Sequence, residues 1–90
     1  MRQARLSLSD AFSRVVEKHR EKNGLSRAAL ARLAGLHQTY IGLLERGERT
    51  PNLDTANAIA QALGKPLGKL IGEADKLQKS TNRNGVQHVI

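Results

Sequence analysis

Along the first 75 residues the apolar positions recur every three or four residues, in short blocks punctuated by glycine, and strict alternation is absent. That spacing predicts packed short helices rather than strands. Leu8, Phe12, Val15, Val16 and His19 form one stripe, opposite Arg14, Glu17, Lys18, Glu21 and Lys22. Ser7 followed by Asp10 has the spacing of a capping box at its start. Asn23-Gly24 ends the block, because glycine accepts a left-handed cap without steric cost.

Ser26 opens a second helix over 27–34, with Leu25 placed to clasp Leu30 as a hydrophobic staple. Gly35 interrupts, and a third helix is expected from about Gln38 to Arg46, closed by Gly47. A polar loop around Pro51 leads to a fourth helix starting at Asn52 or Asp54, with Ala56, Ile59, Ala60 and Leu63 buried and Gly64 as its cap. Pro66 suits the first position of a short fifth helix carrying Leu67, Leu70 and Ile71. No acidic residue follows Asp75, so Lys76, Lys79, Arg83 and the polar stretch 80–85 predict a basic tail. Its last residues, from Gly85 to Ile90, read as a frayed end, a short strand or a docking peptide. The expected organisation is one all-α, five-helix domain over 7–74 and a basic tail over 75–90, flexible or associated with a dimer.

Composition narrows the chemistry. Fifteen Lys and Arg against eight Asp and Glu give a charge of +7, which favours polyanionic partners. There are no cysteines, which removes disulfides, thiolate metal sites and cysteine nucleophiles. No apolar run reaches membrane-spanning length, so no membrane partner and a cytoplasmic location are expected. His19 and His88 lack a second ligand at metal spacing, and no metal or cofactor is expected. Nothing resembles a nucleophile beside a histidine, a carboxylate pair in a pocket or a phosphate-cradling glycine loop, so an enzyme is not expected.

The turn between the second and third helices carries the most specific pattern. Leu30, Ala34, Leu36, Ile41 and Leu44 are apolar where two crossing helices would face a core. Ala31 is small where they would approach most closely, and Gly35 stands where a left-handed backbone is needed. The stretch from Leu25 to Pro51, ending Leu-Glu-Arg-Gly-Glu-Arg-Thr-Pro, resembles the Cro/phage-repressor (XRE-type) helix-turn-helix family. The resemblance covers roughly Ala11 to Glu73. It implies a lambda-repressor-like five-helix fold, usually dimeric, acting as a transcriptional regulator on a double-stranded DNA operator.

Given that motif, the start of the third helix would enter the major groove, with His37, Gln38, Thr39 and Leu43 as candidate base readers. Arg27, Arg46, Arg49 and Thr50 are expected on phosphates, where they set register without reading sequence. Tyr40 either joins them or is partly buried. Where the family most often has glutamine, this chain has Arg27. Gly42 stands where a larger polar residue is frequent, which costs about 1 kcal/mol of helix stability unless a close approach requires it. The resemblance also implies a structural pair between Arg20 and Glu45. Leu67, Leu70 and Ile71 are the expected homodimer surface. An antitoxin or protein-bridging module, with a protein partner held by the tail, is the alternative. RNA binding is disfavoured by the lack of aromatic stacking platforms.

Overall fold

The computed structural model describes residues 5–86, and side chains as far as Asn82. Within them the chain forms α1 (Leu8–Lys22), α2 (Arg27–Ala34), α3 (Gln38–Glu45), α4 (Leu53–Ala62) and α5 (Leu67–Val86), with no strand among the described residues. The starts follow from local chemistry. The side chains of Ser7, Ser26 and Asn52 each accept the backbone N–H three residues on, from Asp10, Ala29 and Thr55. Of the expected capping box at α1 only this half is formed among the described hydrogen bonds. The Asp10 carboxylate lies instead beside Gly47, 3.1 Å from where a Cβ would stand.

The core is aliphatic, as two aromatic residues in ninety require. Leu30, Ile41, Leu44, Ile59, Leu70 and Val16 are its largest fully buried side chains, with Phe12 against them. Every apolar position expected on α4 is buried. On α1 the stripe is shifted: Ala11 joins the core, while Leu8 remains 40% exposed.

Gly35 ends α2 with φ +73°, the left-handed conformation expected of it. Leu36 then donates its N–H to Ala31 O at 2.8 Å, which folds the chain back across α2. Ala31 is buried beneath this crossing, where a longer side chain would separate the helices.

The C-terminal third departs from expectation. Pro66 precedes α5 rather than starting it, its carbonyl accepting from Lys69 and Leu70. The helix is not short: it continues to Val86, so the boundary expected between residues 74 and 75 falls inside it. Leu70, Ala74 and Leu77 keep a three-to-four spacing against the core. The i,i+4 ion pairs Lys69–Glu73 (3.5 Å) and Lys79–Asp75 (3.2 Å) lie along the helix, the first where Glu73 also meets α1. Near its end, Asn82 bonds the backbone of Leu6 in both directions. Lys76 and Lys79 are thus helical residues rather than a loose tail, whereas His88 and the rest of 87–90 lie outside the described residues. No described helix is long and apolar enough to cross a membrane.

Candidate nucleic-acid interface

The candidate residues lie on the second and third helices and in the loop after them, and most are exposed. α3 starts at His37, whose backbone is extended but whose side chain makes no cap bond. His37, Gln38 and Thr39 are exposed, and no side-chain hydrogen bond engages them among the described residues. A histidine serving only as a cap would be committed to the helix, and this one is not. Leu43 is half-buried, one helical turn beyond Thr39.

Tyr40 is half-buried against the core, as one of its two expected readings has it. Burial raises the pKa of its phenol, with the positive charge of nearby Arg49 opposing the rise. It therefore stays a neutral donor near a cation. Arg46, Arg49 and Thr50 are exposed at the end of α3 and in the following loop. Arg46 is engaged with Glu48 at 3.2 Å, an open surface pair that water weakens.

Gly42 is not demanded by its protein surroundings. A Cβ there would meet only a terminal nitrogen of Arg46, at 3.4 Å, the mobile end of a long side chain. No close backbone approach accounts for it.

Behind this surface lies the pair implied for Arg20 and Glu45. Arg20 Nε donates to Glu45 Oε2 at 2.6 Å and its Nη2 to Oε1 at 3.1 Å, while Nη1 donates to the Leu25 carbonyl at 2.8 Å. The Glu45 side chain is 1% exposed. The bond to Glu45 holds the Arg20 guanidinium above its already high pKa. A bidentate arginine whose third nitrogen donates to a backbone carbonyl is the arrangement in which a buried ion pair is tolerated.

One contact has no precursor in the sequence reading. Arg27 Nε also donates to Glu45 Oε1, at 2.8 Å. Arg27 was expected only on a phosphate, and its link to a carboxylate 18 positions away has no local periodicity to announce it. Of the three side chains expected at a dimer surface, the structure removes one. Leu70 is fully buried in the core, so it cannot meet a second chain, and Leu67 and Ile71 are only half-exposed. The most exposed large apolar side chain among the described residues is Leu53 at 76%, and it lines a groove of about 150 Å³ together with Leu8, Phe12, Pro51, Ala56 and Ile71. Leu53 follows the cap Asn52, at a helix position where an apolar residue with no place in the core was the available signal. Among the described residues no group of His, Asp and Glu is placed to hold a metal.

Comparison with known proteins agrees with this geometry. The helix-turn-helix family matches residues 16–70. The chain is 38% identical over 66 residues to control protein C.SmaI of Serratia marcescens, covering 73% of this chain and 79% of that one. Its fold is similar to the restriction-modification controller protein C.AhdI of Aeromonas hydrophila, with TM-score 0.66 and 34% identity over 68% of this chain and 92% of the other. The clp gene regulator ClgR of Corynebacterium glutamicum shares the fold over 92% of this chain and 89% of its own, with TM-score 0.81 and 20% identity. With its left-handed turn at Gly35, the buried Arg20–Glu45 pair and a family match that spans α2 to α4, the chain belongs to the Cro/phage-repressor (XRE-type) helix-turn-helix family of DNA-binding transcriptional regulators.

Proposed function

We propose that the protein binds a specific double-stranded DNA operator as a homodimer, with α3 of each protomer in the major groove. The observation that carries this reading is the start of α3, where three polar side chains are exposed and uncommitted. Gln38 has the donor and acceptor to pair with an adenine edge, and Thr39 offers a methyl group to thymine. His37 and Leu43 flank them as further readers. Arg27, Arg46, Arg49, Thr50 and the neutral Tyr40 hydroxyl contact phosphates and set the register of the helix.

Dimerisation is supported by an apolar groove that includes Ile71 but neither Leu67 nor Leu70. Leu53 is an exposed apolar side chain that itself helps to line a mostly apolar groove. A two-fold interface needs a patch that meets its own copy, and an exposed leucine continuous with an apolar groove offers one. Two such protomers would present recognition helices to half-sites about 34 Å apart. The likeness to the controllers C.SmaI and C.AhdI favours a controller role among the regulator types.

The test is selection of bound sites from a random duplex library at about 50 and 200 mM salt. The expected result is an enriched two-fold symmetric motif, with affinity falling steeply at the higher salt. A pool that stays random at both concentrations would overturn the reading.

A further inference from the structure

Glu45 serves two arginines, and they use it differently. Each of the three guanidinium nitrogens of Arg20 donates inside the protein, to Glu45 or to the Leu25 carbonyl. Arg27 gives Glu45 only its Nε, and its two terminal nitrogens have no hydrogen-bond partner among the described residues. The Arg27 side chain is 46% exposed, so the open end of its guanidinium reaches water. Two guanidinium groups share the one buried carboxylate, and the exposed Glu21, 3.8 Å from Arg20 Nη2, offsets charge only on the Arg20 side, which leaves a surplus at Arg27. That surplus sits on the first residue of α2, a helix whose first turn holds no acidic residue. The positive end of a helix dipole disfavours a cation there, which an incoming anion would relieve.

Building on the DNA-binding reading above, we infer that Glu45 is a positioning residue: it grips Arg27 at Nε, leaving the two terminal nitrogens as a fork for one phosphate of the DNA backbone. A guanidinium can do this because its planar fork binds a carboxylate on one side and a phosphate on the other. A lysine ammonium is a single point charge that must serve either Glu45 or the phosphate. The site therefore requires arginine, not merely a positive charge. The same carboxylate ties helix 1 to the end of α3, so the phosphate contact at the start of α2 is set in register with the reading helix.

The experiment compares wild type with Arg27→Lys, Arg27→Ala and Glu45→Gln, each binding a duplex of scrambled sequence over a salt series, with thermal melting as a check on folding. Arg27→Lys is expected to melt close to wild type yet to lose about tenfold in affinity, most of the loss shown by Arg27→Ala. Arg27→Ala is expected to flatten the salt slope by about one unit. Glu45→Gln is expected to weaken binding in the wild-type background but to add little to Arg27→Ala, because the two act as a unit. Should Glu45→Gln fail to fold, the Lys-against-Ala comparison decides. Arg27→Lys binding within about twofold of wild type would overturn the positioning role, since charge alone would then suffice. A wild-type protein that binds duplex while Arg27→Ala matches it would overturn this inference and leave the DNA-binding reading standing. Wild-type protein that binds no duplex would overturn both.

Discussion

Asn82, near the end of α5, holds the backbone of Leu6 by two hydrogen bonds: Leu6 N–H donates to Oδ1 at 3.0 Å, and Nδ2 donates to the Leu6 carbonyl at 3.1 Å. One amide side chain thus stands in for a strand partner and joins the segment before α1 to the last turns of α5. Leu6 is buried, so its backbone groups have little access to water if Asn82 is lost. Asn82→Ala should cost about 1–2 kcal/mol and speed hydrogen exchange at the Leu6 amide. Unchanged melting together with unchanged exchange would mean that the clasp contributes nothing.

The local signals were legible and the distant ones were not. Ser7, Ser26 and Asn52 cap the helices at the expected places because a cap bond spans only three residues. The turn at Gly35 and the inward positions Leu30, Ile41 and Leu44 follow from helical spacing. Leu6–Asn82 and His19–Glu73 join residues 76 and 54 positions apart, and no periodicity relates such partners. The length of α5 was obscured by composition: after Asp75 the sequence is polar and basic, yet Leu77 continues the stripe of Leu70 and Ala74. At the site, the exposed start of α3 followed from the motif. The second arginine on Glu45 did not, because it depends on how α2 is set against α3.

The Arg20–Glu45 pair should be structural before it is functional. Removing the buried carboxylate strands Arg20 with little solvent, at a cost of up to ~3–5 kcal/mol. Glu45→Ala should therefore lower the melting temperature as well as DNA affinity. Wild-type melting with lost binding would place Glu45 on the DNA surface instead.

Glu73 predicts how the fold responds to acid. His19 Nε2 lies 2.8 Å from its Oε1, with Lys18 and Lys69 each 3.5 Å from the carboxylate. The His19 hydrogen bond is the largest influence lowering the Glu73 pKa from 4.5 to about 2, and partial burial opposes it. A depressed carboxylate contributes stability in full above its unfolded pKa, and that contribution disappears as pH falls from about 4.5 towards 2. Because the group is a quarter exposed and the lysines are in water, we expect about 1–2 kcal/mol rather than the full conversion. Glu73→Gln should lose this much near neutral pH and flatten the acid limb of the stability curve. Parallel curves for the two proteins from pH 5 to 2 would contradict the assignment.

Leu53 should matter for assembly and little for folding. It is exposed in the protomer, so Leu53→Asp should leave melting of the monomer nearly unchanged. The same change places a charge in the apolar groove of a second copy and should dissociate the dimer. Sedimentation would show a shift from dimer to monomer, with weaker binding to a two-half-site duplex. A wild-type protein that sediments as a monomer at high concentration, with and without DNA, would remove the dimer altogether.

The central claim is that the start of α3 reads base sequence, and the most direct measurement is the affinity of Gln38→Ala for the selected duplex and for a scrambled one, beside wild type and Arg49→Ala. Gln38→Ala should lose ~1–3 kcal/mol on the selected duplex and almost nothing on the scrambled one, relaxing preference at one base pair in each half-site. Arg49→Ala should weaken both duplexes nearly alike, as a phosphate contact does. If Gln38→Ala weakens both duplexes equally, Gln38 only positions the helix, and base readout by this residue is contradicted.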